Sequence, residues 1–129
     1  MDCQFIVDMF YAFNTTEKIN FIMPFYRGGD MFTLMQEQDK LPEDWARFYV
    51  MQVAVALGYL HQNGIVYRGM KPENILMKET GYISIADFGN SKEMTKDRLS
   101  VETSNNFDMK TGASDYTAPE MLDDESYGF

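Results

Sequence analysis

The chain has 129 residues, 45% of them hydrophobic and with ten Phe and eight Tyr, which is enough apolar material for one modest core and argues against intrinsic disorder. Its formal net charge of -9, without any run of Lys and Arg, excludes nucleic acid as the main partner, because phosphate backbones are held by clustered cations. The single cysteine, Cys3, can close no internal disulfide, and there is neither a secretory leader pattern nor an apolar run of about 18 residues, so no membrane span and an intracellular, cytoplasmic location are expected.

Two apolar, aromatic and β-branched segments, Gln4 to Phe13 and Lys18 to Phe25, flank the polar tetrapeptide Asn14-Thr15-Thr16-Glu17 and predict a β-hairpin. Pro24, Arg27, Gly28 and Gly29 then break the strand pattern, which predicts a hinge or linker. Asp30 is a candidate N-cap for a short helix over "DMFTLMQEQ".

Pro42, Glu43 and Asp44 suit the start of a longer helix, by the fixed φ of proline and by the favourable placement of acids at the positive end of the helix dipole. Trp45, Tyr49, Val53, Ala56, Leu57 and Leu60 follow at a period of about 3.6 residues, and Gly64 ends the helix. Phe48, Val50, Met51 and Val55 are apolar on its other sides, so this helix needs neighbours on more than one face. Ile75 to Met77 and Tyr82 to Ala86 read as short strands joined by the turn Glu79-Thr80-Gly81. From Gly89 to Ala118 the chain is polar and without period, a length that in a compact domain suggests a functional loop.

Three short strings decide the function. "YRGMKPEN" (67 to 74), "DFG" (87 to 89) and "APE" (118 to 120) recur by chance when taken singly, but here they stand in order, with Asn74 five residues after position 69 and Asp87 at a strand-to-loop junction. This set resembles the protein-kinase signature. With "GGDMF", "ARFY", Tyr67-Arg68, "KPENIL" and "SKE", the resemblance is to the AGC group of serine/threonine kinases, those similar to cyclic-nucleotide-dependent kinases. It covers nearly the whole chain and implies an α+β, protein-kinase-like fold that is incomplete: residues 1–26 as small-lobe hairpin and hinge, and 27–129 as a large-lobe portion with catalytic, metal and activation loops.

The resemblance implies ATP and magnesium as cofactors and a protein substrate carrying basic residues. Phosphoryl transfer needs positioning and charge stabilisation more than covalent help, and hard oxygen donors serve the metal best. Asp87 would give a carboxylate to magnesium, Asn74 an amide oxygen to a second ion, and Lys71 a compact cation for the transferring phosphate. Seen singly, an Asn and an Asp in loops are ordinary turn formers; the ordered set reverses that reading. The adenine would lie against Met23, Pro24 and Tyr26 with Leu76 beneath it and Asp30 near the ribose. Met23 and Leu76 can be core residues at the same time. Pro24 has no N–H, but the family uses the carbonyl here and the N–H at Tyr26. Glu73 and Asp30 would meet arginines of a basic substrate, or serve as solvated surface.

Four departures qualify the resemblance. Gly69 occupies the position of the catalytic aspartate, whose general-base assistance is typically worth about 10²- to 10⁴-fold. Glycine also loosens the loop carrying Lys71 and Asn74, at an ordering cost of about 0.5–1 kcal/mol. Met109 and Ala113 replace the threonines expected in the loop before Ala-Pro-Glu, so a loop phosphate facing Arg68 is not provided for there. Finally, neither a G-x-G-x-x-G loop nor a Val-Ala-x-Lys strand occurs, and Lys18, inside the hairpin, does not substitute. The expectation is an internal portion of a kinase domain with negligible activity of its own, or alternatively a pseudokinase segment acting by partner binding.

Overall fold

The computed structural model describes residues 2–94 and 115–122. In chain order the elements are β1 (Tyr11–Asn14), β2 (Ile19–Ile22), α1 (Met31–Gln38), α2 (Glu43–Gln62), β3 (Ile65–Val66), a 3-10 turn (Pro72–Asn74), β4 (Ile75–Met77), β5 (Ile83–Ile85), β6 (Lys92–Glu93) and α3 (Pro119–Leu122). The content is mixed helix and strand, as expected. The chain forms two compact units, Met1–Ala56 with Pro72–Ala86, and Leu57–Lys71 with Asp87–Phe129.

In the first unit β1 and β2 pair antiparallel, with Tyr11 opposite Ile22 and Phe13 opposite Asn20. The turn is closed by the Thr15 N–H on the Lys18 carbonyl at 2.8 Å and the Lys18 N–H on Thr15 Oγ1 at 3.1 Å. The expected first strand is too long. Residues 5–7 leave the hairpin and lie parallel to β5, where the Ile85 N–H donates to the Phe5 carbonyl at 2.8 Å and the Val7 N–H to the Ile85 carbonyl at 2.9 Å. Ile6 buries there, at 8% exposure, while hairpin residues such as Tyr11 stay open at 71%. The physical reason is a better apolar contact for Ile6 than the two-stranded ribbon can give.

β4 and β5 pair antiparallel with Ile75 opposite Ile85 and Met77 opposite Ile83. The other edge of β4 is taken by the segment expected to be a hinge. The Gly28 N–H donates to the Met77 carbonyl at 3.1 Å, the Met77 N–H to the Gly29 carbonyl at 2.9 Å, and Asp30 bridges Leu76. A Cβ on Gly28 would stand 2.6 Å from the Met77 Cβ, so only glycine fits this approach. Ile6, Met31, Ile75, Met77, Ile83 and Ile85 are the buried apolar residues around these strands.

α1 begins as its sequence predicts. Asp30 is extended (φ -118°, ψ 165°) and its Oδ1 accepts the Thr33 N–H at 2.8 Å, a cap worth about 1 kcal/mol. α2 opens with Glu43 and Asp44 in its first turn and an exposed Glu43–Arg47 pair at 2.9 Å, and Gly64 past its end takes φ +73°, which costs glycine nothing. The stripe Gln52, Ala56, Leu60 is buried, whereas Trp45, Phe48, Val50, Met51 and Val55 are exposed. Trp45 thus departs from the inward period. The side chains of Met9, Met23, Met35 and Met51 are exposed as well.

Gln52 is the polar member of the buried stripe. Its Nε2 donates to the Phe48 carbonyl at 3.2 Å, which orients the amide so that Oε1 accepts the Ile83 N–H at 3.0 Å. The helix thereby supplies β5 with a hydrogen bond that no strand supplies at that position. In the second unit β3 and β6 pair antiparallel, and Val66 packs with Met121, Met94 and Ala118. Replacing Gln52 by Leu should leave the Ile83 N–H without its acceptor at a cost of about 1–3 kcal/mol, so that this amide exchanges with solvent roughly 5- to 150-fold faster. Hydrogen exchange read by mass spectrometry tests this; unchanged protection over residues 82–86 would refute it.

Candidate functional site

The second unit carries Gly69, Lys71 and Asp87. The 65–68 and 88–93 segments run side by side, joined by the ladder pairs Ile65 with Glu93 and Val66 with Lys92. Beyond the ladder, the buried Tyr67 ring meets Phe88 edge-on, with centroids 5.3 Å apart. Arg68 Nε donates to the Asn90 carbonyl at 2.6 Å, and Ser91 Oγ to the Tyr67 carbonyl at 3.1 Å.

Two residues of this arrangement hold left-handed backbone without being glycine: Arg68 at φ +58° and Asp87 at φ +54°. Each costs about 1–2 kcal/mol, so the surrounding contacts must over-determine them. The ring contact and the two side-chain hydrogen bonds are of that kind. The Asp87 carboxylate is in turn oriented locally, since its Oδ1 accepts the Gly89 N–H at 3.2 Å. A Cβ at position 89 would stand 3.1 Å from that oxygen, so Gly89 leaves room for the carboxylate.

Gly69 is buried, and its φ is outside the left-handed region. A Cβ there would lie 3.3 Å from the Asp87 carbonyl oxygen and 3.4 Å from Cζ of Tyr67. The backbone at 69 is therefore one that an L-amino acid can adopt, at the expense of a shift of a few tenths of an ångström. The backbone dihedrals at 69 do not demand glycine, although the space beside its Cα is tight. Lys71 is half-buried in the same unit, two residues further on.

The remaining sequence-predicted residues fall in the first unit. Asn74 is buried at 7% exposure, closes the 3-10 turn, and offers its carbonyl to the Ala86 N–H at 2.9 Å. Glu73 is exposed on the same turn. Asp30 and Leu76 are brought together by their backbone bridge, and both are half-buried. Met23 is 46% exposed, while Pro24 and Tyr26 are half-buried. Pro24 and Tyr26 line a pocket of about 260 Å³ together with Asp8, Phe25, Arg27, Lys78 and Glu79. Met23, Leu76 and Asp30 are not part of its wall. Met109 and Ala113 lie outside the described residues.

Sequence reasoning did not single out Gln52, Ser91 or the backbone of Arg68. Serine and arginine carry no local signal for such roles, because each acts on a partner distant in sequence. Among the described residues no three His, Cys, Asp or Glu side chains gather into a metal site, and no helix is long and apolar enough to cross a membrane.

The protein kinase domain model matches residues 1–129. The chain is 41% identical over 123 residues to serine/threonine-protein kinase Sgk3 of Rattus norvegicus, covering 95% of this chain and 24% of that protein. To ribosomal protein S6 kinase alpha-6 of Homo sapiens it is 44% identical over 118 residues, 92% of this chain and 15% of the relative. To atypical protein kinase C of Drosophila melanogaster it is 39% identical over 125 residues, 97% and 20% respectively. The chain thus spans a quarter or less of these relatives' length. The ordered motifs and the relatives agree: the chain belongs to the protein kinase domain family, with the AGC-like serine/threonine kinases as its relatives.

Proposed function

We propose that this segment serves an ATP- and magnesium-dependent phosphoryl transfer to serine or threonine of a protein, and that in its present sequence the transfer step is impaired at Gly69. The observation that carries this reading is position 69 itself: a backbone whose dihedrals an L-residue can adopt with a shift of a few tenths of an ångström, beside Asp87 and Tyr67, in a loop whose neighbours are held in strained geometry. That geometry supports reading position 69 as one where a side chain could act.

In this reading Asp87 and Asn74 are the magnesium ligands. Their donor types fit. Magnesium keeps water and phosphate oxygens and asks the protein for only one or two oxygen ligands, so the lack of a three-acid cluster among the described residues is no obstacle. The metal would neutralise charge on the phosphates. The Gly89 N–H orients the Asp87 carboxylate, Lys71 supplies a cation for the transferring group, and Tyr26, Met23, Pro24, Leu76 and Asp30 serve the adenosine. Asp30 already gives one carboxylate oxygen to its helix cap, which leaves the other for a ribose hydroxyl or, with Glu73, for a basic substrate. The deprotonation of the substrate hydroxyl has no positioned base at residue 69. The division into a small-lobe portion over 1–26 and a large-lobe portion over 27–129 belongs to the same reading.

A second reading has support in the exposed apolar residues of α2 and of the β1–β2 hairpin: the segment acts by binding a partner, as a pseudokinase does, and the lost base is of no consequence.

The chain alone should bind ATP with magnesium only weakly, with a dissociation constant above about 1 mM, because its sequence holds neither a Gly-rich loop nor a phosphate-binding Val-Ala-x-Lys lysine. Titration calorimetry tests this; micromolar affinity that Asp87→Ala abolishes would contradict it.

With residues 1–129 set between the flanking kinase segments of an AGC relative, nucleotide binding should be retained while peptide phosphorylation stays roughly 10²- to 10⁴-fold below the rate with a positioned base. Gly69→Asp should recover part of that rate. Recovery should be incomplete, since Met109 and Ala113 offer no phosphorylatable hydroxyl. Equal rates for the two proteins at saturating ATP would show that glycine is no lesion and would favour the partner-binding reading.

A further inference from the structure

We propose that Ser91 is a positioning residue of the candidate catalytic loop, its hydroxyl holding the backbone of Tyr67 and, through it, the loop at position 69 against the segment that carries Asp87. The inference rests on reading residues 67–71 as that loop.

The Ser91 hydroxyl donates to the Tyr67 carbonyl at 3.1 Å from a half-buried side chain, and Tyr67 is itself 2% exposed. Water therefore cannot readily replace this donor. The same serine closes the turn that follows Asp87, because its N–H donates to the Phe88 carbonyl at 3.0 Å. One residue thus fixes both sides of the site: its backbone shapes the turn over Gly89, and its side chain grips the strand end at Tyr67.

Arg68 makes the reciprocal link from the opposite segment, Nε to the Asn90 carbonyl at 2.6 Å. Two adjacent cross-links of opposite direction, 67 with 91 and 68 with 90, act as a clamp around the two left-handed residues Arg68 and Asp87. Such backbone relaxes when its supporting contacts are removed. The predicted motion is of the 67–71 loop away from Asp87, whose carbonyl stands 3.3 Å from the Cβ position of residue 69. A side chain at 69 would be aimed correctly only while the clamp is closed. The clamp consists of this chain's own groups and includes no phosphate.

The test is hydrogen exchange on the full chain with Ser91→Ala and Ser91→Thr. Ser91→Ala should raise exchange of the Gly89 amide and of the 67–71 amides roughly tenfold, the size expected for losing one hydrogen bond to a buried acceptor. Protection of Met77, Ile83 and Ile85 in the other unit should not change. Ser91→Thr keeps the hydroxyl and should restore the original rates, whereas a site set by packing volume alone would be disturbed by the added methyl group. Unchanged exchange at 67–71 in Ser91→Ala, a loss of protection spread over β4 and β5, or Thr behaving as Ala would each overturn the proposal. In the Gly69→Asp protein with flanking kinase segments, Ser91→Ala should also lower kcat roughly tenfold with KM for ATP unchanged. If that protein phosphorylates nothing, the kinase reading fails, while the exchange experiment still decides the role of Ser91.

Discussion

The β4–β5 hairpin is hydrogen-bonded along both of its outer edges, and the placement of the first unit's candidate residues follows from this. On one edge Met77 exchanges hydrogen bonds with Gly28 and Gly29, and on the other Ile85 exchanges them with Phe5 and Val7. A strand pair of three residues each would be marginal in water; two further strands of backbone and a buried set of Ile and Met side chains make it a sheet. The glycine at 28 is what lets the chain come close enough, since any Cβ would collide with Met77. Once that approach is made, Asp30 lies beside Leu76 and the α1 cap is set at a fixed point of the sheet. The segment after Pro24 is therefore tethered in its second half.

Local signals were legible in the sequence. Asp30 caps α1, Gly64 ends α2, and the Glu79-Thr80-Gly81 turn joins two strands, all because the deciding interactions span only a few residues. What was not legible depends on distant partners. Residues 5–7 read as a continuation of a hairpin strand, because an apolar, β-branched run does not say whether it pairs with its neighbour or with β5 some eighty residues on. Gln52 reads as one polar interruption of an apolar helix, and its meaning is an N–H on β5. The motif residues were recognisable by order. Their geometry was not, since the left-handed backbone of Arg68 has no compositional signature.

At position 69 two levels of description separate. In the reading proposed for this loop an aspartate would act at that position, and the backbone there would take a Cβ with a small shift of its neighbours. The strained residues on either side, Arg68 and Asp87, are still paid for by a clamp of ring contact and hydrogen bonds. In that reading conformation and reactive group are independent properties of this loop. This is physically reasonable, because the contacts that support the loop include those of Tyr67, Phe88, Asn90 and Ser91, none of which is residue 69.

The distribution of methionine has a chemical consequence. Met9, Met23, Met35 and Met51 are exposed thioethers, while Met31, Met77 and Met121 are buried. Peroxide and related oxidants convert exposed methionine to a polar sulfoxide far more readily than buried methionine, and a reductase can reverse the change. Oxidation of Met51 would place a strong dipole on the apolar outer side of α2, and oxidation of Met23 would do so in the segment leading into Pro24. Oxidation at these exposed sulfurs would make the apolar exterior of this chain more polar.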